Sequence, residues 1–239
     1  MMTTKNRSKI VSKILSPALQ FWLRSQVESA EELEININGG DRQILGGYIP
    51  DVFLSSSRAV YQGLHLGQIQ VQGENIRINL GQVIKGKPLR LLEPIPVKGK
   101  MLLKEADLNK SLTSPLFSTA LTDFFFNLLK SEARSDCAKI LNNYRVSWQE
   151  IKINFDKLIL KGTLIDENTK TIPLTICSGL KLANPHTLWL HPLEIETRSD
   201  LVDINFNEFQ VDLGSEVELE NLSLLPGELS CCGGLTVLP

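Results

Sequence analysis

The 239-residue sequence has few aromatic residues and no excess of charge of one sign. It contains 15 aromatic residues, and its 25 basic residues are balanced by 27 acidic residues. Proteins that bind nucleic acids usually carry a basic surface and present aromatic side chains to the bases. The composition therefore argues against nucleic acid as a partner.

Long apolar runs and paired cysteine motifs are also missing. No stretch of 18 consecutive apolar residues occurs, so no membrane-spanning helix is predicted. Lys13, Ser16, Gln20 and Arg24 interrupt the first 26 residues, which therefore do not resemble a cleaved signal peptide. The four cysteines form no CxxC pair, which indicates free thiols in a reducing compartment and no zinc site. We therefore expect a cytoplasmic protein, with the peripheral membrane surface as a further location.

Signatures of catalysis are absent as well. The sequence contains no HExxH, GxSxG or GxxxxGK[ST] motif. His186 and His191 lie an odd number of positions apart in a strand-like stretch, which places them on opposite faces. We expect no enzyme activity, no metal and no cofactor.

The sequence is rich instead in aliphatic residues with a period of two. It has 39 Leu and 20 Ile, and segments such as 33–37 and 151–155 alternate apolar with polar residues. About a dozen short segments of this kind, separated by turn signals, predict antiparallel sheets with one apolar face. Residues 44–53 are predicted as a loop with strand fragments, and residues 73–75 as a hairpin turn.

Two longer segments have the spacing of amphipathic helices. One covers residues 9–29, contains Pro17 and carries only basic charges before Glu28. The other runs from Ser114-Pro115 to Lys130 and follows a short predicted helix at 105–113. The basic helix suits an anionic membrane surface, but its apolar half is equally explained by packing on the protein's own core.

Two helices are too few to cover the apolar sides of about a dozen strands. Closure into a sandwich or barrel is one solution, and a strongly curved sheet wrapped around the helices is another. The second arrangement leaves an apolar groove in which each buried acyl methylene contributes about 0.8 kcal/mol. A fully filled core is the alternative, and the pattern alone does not separate the two.

Several segments resemble the LmeA-like phospholipid-binding family, in the branch of photosynthetic bacteria. The segments that carry the resemblance are residues 14–19, 22–27, 41–50, 59–64 and 86–92. The resemblance implies phospholipid binding and a tubular lipid-binding fold, in which a curved antiparallel sheet wraps a long helix. It implies no catalytic residue.

The sequence thus predicts an α+β protein, with residues 1–239 forming one lipid-binding domain. A weak internal repeat allows two helix-plus-strands halves, 9–104 and 105–225. The predicted function is binding of a phospholipid in an apolar groove between sheet and helices, as a carrier at a membrane surface. A non-enzymatic interaction or scaffold protein with a solid core is the alternative, and an envelope-lipid enzyme is a third hypothesis.

The predicted partners are phospholipid and a peripheral membrane surface. The predicted lipid-binding residues are Ile14, Leu15, Leu19, Trp22, Ile35, Ile37, Leu116, Phe117, Leu121, Phe124, Phe125 and Leu128. The predicted head-group contacts are Lys9, Lys13 and Arg24.

Overall fold

The computed structural model describes residues 28–131, 144–197, 203–206 and 208–239. Its strands are β1 (Ser29–Asn38), β2 (Tyr48–Tyr61), β3 (Leu64–His65), β4 (Gln68–Arg77), β5 (Ile95–Lys104), β6 (Arg145–Asn154), β7 (Lys157–Ile165), β8 (Thr171–Asn184), β9 (Thr187–Thr197), β10 (Asp203–Phe206), β11 (Phe209–Asp212), β12 (Val217–Leu225) and β13 (Glu228–Val237). Its helices are α1 (Asp41–Leu45), α2 (Leu80–Val83), α3 (Glu105–Ser111) and α4 (Pro115–Ser131).

These strands form two antiparallel sheets. The first sheet has the order β1-β2-β4-β5-β13-β12, with the short β3 paired to β2. The second has the order β10-β9-β8-β7-β6, with β11 also paired to β9. The last two strands of the chain return to the first sheet, so the first sheet contains both early and late segments.

The larger hydrophobic core lies between the second sheet and α4. Phe125, Leu128 and Leu129 of α4 are completely buried against inward residues of β6–β9. The Phe125 and Trp148 rings meet edge to face, with centroids 6.0 Å apart, and the Trp148 Nε1–H donates to Thr122 Oγ1 at 3.0 Å. The apolar side of α4 is therefore occupied by protein side chains.

The short helix α3 covers the free edge of β6. The Asn109 side chain donates to the Ile151 carbonyl at 2.8 Å and accepts from the Ile151 N–H at 2.9 Å. The Ile153 N–H donates to the Glu105 carboxylate at 2.8 Å. Exposed edge strands pair with other chains through unpaired backbone groups. The hydrogen bonds from α3 occupy these groups on β6.

A second, smaller core lies at one end of the first sheet. It consists of Ile44, Ile49, Ile76, Ile78, Leu80, Leu89 and Ile95. Helices α1 and α2 supply Ile44 and Leu80, which are 0% and 1% exposed. The first sheet is thus sealed at this end by two helices of only four or five residues.

The structure confirms the antiparallel β architecture and both predicted helices after residue 104. Ser114 precedes α4 as its N-cap, and its Oγ accepts from the Phe117 N–H at 3.4 Å. Positions 9–27 of the predicted helix 9–29 lie outside the described residues. Its last residue, Ser29, is not helical because it begins β1 and faces Val60 of β2.

Two local predictions were wrong. Residues 73–75 form no hairpin turn, because β4 continues through them and stays paired with β2. Asn75 does have the positive φ of a turn residue, 56°, but it lies within the strand. The Asn75 Oδ1 accepts from the Tyr48 hydroxyl at 2.5 Å. Residues 44–53 are likewise no loop, since α1 and the first part of β2 occupy them.

Candidate functional site

One face of the first sheet is apolar across all six main strands. Residues directly opposite one another in an antiparallel sheet point to the same side. The middle row of this face contains Ile35, Leu54, Val71, Gly99, Gly233 and Leu219. The neighbouring row contains Ser56, Ile69, Met101, Cys231 and Leu222. Apart from Ser56, all of these side chains are apolar or weakly polar.

The two cores of the protein meet this face only at its ends. Ile37, Val52 and Val97 at one end pack on the smaller core. Leu222, Leu224 and Leu229 at the other end belong to or pack on the larger core. The face therefore bridges the two cores.

Between these ends lies a set of residues that we call the central apolar face. Its members are Ile35, Leu54, Ile69, Val71, Gly99, Met101, Leu219, Cys231 and Gly233, and all are half-buried. Among the described residues, its hydrophobic side chains belong to neither buried core and do not pack against one. A contiguous half-buried apolar surface of this kind is typical of a binding surface.

Two glycines form a depression in the middle of this face. Gly99 of β5 lies directly opposite Gly233 of β13, so two adjacent strands present no side chain there. Gly233 is required because a Cβ would collide with the Glu218 carbonyl at the irregularity in β12. Gly99 is not required in this sense, since the nearest atoms to a Cβ would be 3.5 and 4.0 Å away. The depression is flanked by Val71 on one side and Leu219 on the other.

Cys231 and Cys232 lie on opposite faces of this sheet. Cys231 faces the central apolar face opposite Met101, and Cys232 is paired with Lys100 on the other side. Burial, followed by the nearby Cys232, raises the pKa of the Cys231 thiol. A thiol with a raised pKa is a poor nucleophile near neutral pH. We therefore assign no nucleophilic role to Cys231.

The opposite face of the first sheet is polar. Its central row contains Glu34, Ser55, Gln70, Lys100, Cys232 and Asn221. An open trough of about 520 Å³ runs over Gln68, Gln70 and Lys100. The two faces of the sheet thus differ in the polarity of their side chains.

The predicted lipid-binding residues fall in different places. Ile35 lies on the central apolar face, and Ile37 lies beside it against the smaller core. Phe125 and Leu128 are completely buried in the larger core, against which Phe117, Leu121 and Phe124 pack, whereas Leu116 is 43% exposed. The remaining predicted residues, Ile14, Leu15, Leu19, Trp22, Lys9, Lys13 and Arg24, lie outside the described residues.

Sequence reasoning missed most of the central apolar face. The predicted lipid-binding residues do not include Val71, Met101 or Cys231. Val71 and Met101 lie at apolar positions of predicted strands, and Cys231 lies near the chain end. The period of two could identify them as facing one side. It could not show that neither core reaches them, because that depends on how β12 and β13 return to the first sheet.

The described residues hold no cluster suited to a metal ion. No group of three His, Cys, Asp or Glu side chains in this part of the chain could hold a metal ion. On the exposed side of the second sheet, Lys161 and Lys152 lie 2.8 and 3.5 Å from the Glu150 carboxylate. The hydrogen bond from Lys161 is the main cause of the lowered pKa of Glu150. This partly exposed cluster is a surface ion-pair network.

In the ranges that the structure covers, no helix is both long and apolar enough to cross a membrane.

Taken together, the sheets and the central apolar face define an antiparallel β protein with a surface suited to an apolar ligand. The model of the LmeA-like phospholipid-binding family matches residues 8–233, which is nearly the whole chain. The chain belongs to this family, and the resemblance seen in the sequence is confirmed. Searches of curated proteins and of solved structures give no match. Family membership supports phospholipid as the ligand.

Proposed function

We propose that this protein binds a phospholipid on the central apolar face and carries it at a membrane surface. Family membership supports the chemical class of the ligand. The observation that carries the location is the row from Ile35 to Leu219, which is apolar, half-buried and outside both cores. The ligand would supply apolar contacts that these side chains do not receive from the two cores of the described residues.

In this proposal, an acyl chain lies in the depression over Gly99 and Gly233. Val71 and Leu219 would contact its sides, and Met101 and Cys231 would extend the contact along β5 and β13. Each methylene removed from water contributes about 0.8 kcal/mol, so several are needed for stable binding. Because the face offers no charged group, it selects for acyl chains rather than for a head group.

The proposal moves the lipid contact away from α4. Phe125 and Leu128 already contact other protein side chains over their whole surface, so a ligand there would have to displace packed protein. Ile35 and Ile37 keep their predicted roles. The contacts predicted for Lys9, Lys13 and Arg24, and for the apolar residues between 14 and 22, stay predictions.

Three wider statements concern the architecture, the chemistry and the location of the protein. We propose that the protein has a tubular lipid-binding architecture, with the first sheet curving around an apolar ligand, and that it works without catalysis. We also propose the cytoplasmic side of a membrane as its site of action. The balanced composition and the absence of catalytic motifs from the sequence support these statements.

Native mass spectrometry tests the proposed function. We expect the purified full chain, after mild extraction, to carry phospholipid adducts, and a lipid-stripped sample to regain them from added phosphatidylglycerol. Recovery only of lipid-free protein that takes up no added phospholipid would contradict the proposal. That result would favour the alternative of a scaffold protein with a solid core. Such a protein needs a filled core, and the core between α4 and the second sheet is filled by side chains.

A further inference from the structure

One end of the first sheet exposes several large apolar side chains. Leu45 is the last residue of α1 and Ile84 follows α2, and they are 55% and 52% exposed. Leu92 and Leu238 are 57% and 61% exposed and line one open cavity of about 610 Å³. These four side chains surround the smaller core but contribute nothing to it. Their exposure costs free energy unless an apolar partner covers them.

The same end carries a run of basic residues. Between Glu74 and Glu93 the sequence contains four basic residues and no acidic one. Arg77 lies over the Tyr48 ring, 5.0 Å from its centroid. The other three, Lys85, Lys87 and Arg90, are exposed, and within the described residues none of them forms an ion pair. These three cations are free to meet an external anion.

A hydrogen-bonded loop holds these cations in place. The Asn79 carbonyl oxygen of the side chain accepts from the Arg90 N–H at 2.7 Å, and its amide donates to the Pro88 carbonyl at 3.0 Å. The Lys87 N–H donates to the Gln82 carbonyl at 3.0 Å. Because Asn79 is itself only 9% exposed, the loop is fixed on the protein rather than free in solution.

The opposite end of the protein lacks this combination. Phe155 and Leu225 are exposed there, at two turns joined by the bond from the Asp156 N–H to the Leu224 carbonyl. Charges of both signs surround these turns, since Asp156 and Glu228 are acidic, whereas Lys157 and Lys104, the cross-strand partner of Glu228, are basic. An anionic surface is therefore attracted more strongly to the segment that carries Lys85, Lys87 and Arg90.

We propose that the basic end, formed by Leu45, Ile84, Lys85, Lys87, Arg90, Leu92 and Leu238, docks on an anionic phospholipid bilayer. Lysine and arginine attract anionic head groups, and exposed Leu and Ile side chains enter the interface beneath them. This inference rests on the proposed function and names the surface through which it operates.

The position of the basic end fits transfer of lipid to the central apolar face. Ile37, Val52 and Val97, which adjoin that face, pack on the same small core that the basic end surrounds. An acyl chain leaving a bilayer docked at this end would therefore reach the sheet over a continuous apolar surface.

Vesicle flotation with the full chain tests the inference. We expect binding to vesicles in which one third of the lipid is phosphatidylglycerol, weaker binding at high salt, and little binding to pure phosphatidylcholine. The double substitution Lys85→Glu/Lys87→Glu should lower the partition coefficient on the anionic vesicles by about thirtyfold. Leu92→Ser/Leu238→Ser should lower it by about tenfold, because exposed apolar side chains no longer enter the interface.

The matched control reverses two other exposed lysines. Lys157 begins β7 and Lys170 lies in the turn before β8, and, like Lys85 and Lys87, they form no ion pair within the described residues. Lys157→Glu/Lys170→Glu changes the net charge by the same amount and should leave vesicle binding almost unchanged. Equal losses of vesicle binding in Lys85→Glu/Lys87→Glu and in the control variant would overturn the inference. Unchanged vesicle binding of Lys85→Glu/Lys87→Glu would overturn it as well.

A separate readout distinguishes this inference from the proposed function. Lys85→Glu/Lys87→Glu should keep wild-type lipid occupancy when short-chain phosphatidylglycerol is supplied as monomers and measured by native mass spectrometry. Vesicle binding without any lipid uptake would support the docking surface and contradict the proposed function. Lipid uptake without an effect of the Lys85 and Lys87 substitutions on flotation would support the proposed function and contradict the docking surface.

Discussion

Gly99→Leu is expected to reduce phospholipid occupancy by about thirtyfold while the protein stays folded. The new side chain would fill the depression opposite Gly233 and displace about two to three acyl methylenes, which corresponds to roughly 2 kcal/mol. The backbone tolerates the change, because a Cβ at Gly99 has only ordinary contacts at 3.5 and 4.0 Å. Lipid titration followed by native mass spectrometry measures the effect.

Gly81→Leu is the matched control for this substitution. Gly81 lies in α2, and a Cβ there would have no neighbour within 4 Å. The control adds the same side chain away from the central apolar face and should leave lipid occupancy unchanged. If Gly99→Leu binds phospholipid as well as the wild type, the acyl chain does not lie over Gly99.

Phe125→Ala is expected to destabilise the protein by about 3–5 kcal/mol without changing which face binds lipid. Its ring is completely buried, so truncation removes buried apolar surface and leaves a cavity. Urea denaturation of the lipid-free protein gives the free energy of unfolding. Leu54→Ala, on the half-buried central apolar face, should cost only about 1 kcal/mol in the same measurement.

The two substitutions together separate a filled core from a lipid-lined one. We expect Leu54→Ala to weaken phospholipid binding more than Phe125→Ala does. A small loss of stability in Phe125→Ala, accompanied by a large loss of lipid, would return the binding site to α4. It would then support the residues of the helix that the sequence singled out, such as Phe124 and Leu128.

Much of the fold was predictable because it depends on local patterns. Alternation with a period of two identified strands such as those around Ile35 and Ile151, and Ser114-Pro115 identified the start of α4. The turn signal at residues 73–75 misled, because Gly and Asn mark a positive φ or a close approach as readily as they mark a hairpin. In β4 the longer pairing with β2 and β5 outweighs that local preference.

The site was less predictable because it depends on which apolar surfaces are left uncovered. The sequence identified a surplus of apolar strand residues and assigned the ligand to a groove between the longer helices and strand residues such as Ile35 and Ile37. Within the described part, the wide apolar arc of α4 is satisfied by the second sheet. The surplus lies instead on the first sheet, where Val71 and Leu219 flank the glycine depression. Long-range pairing of β13 with β5 brings those residues together, and local spacing does not encode it.

Cys231 and Cys232 provide the most direct test that phospholipid occupies the central apolar face. Each would be alkylated in a variant that lacks the other, Cys232→Ser or Cys231→Ser, at a pH high enough to compensate for the raised pKa of Cys231. We predict that added phosphatidylglycerol slows alkylation of Cys231 several-fold and leaves Cys232 unaffected. Unchanged alkylation of Cys231 in the lipid-loaded protein, or protection of Cys232 instead, would contradict a phospholipid bound on this face.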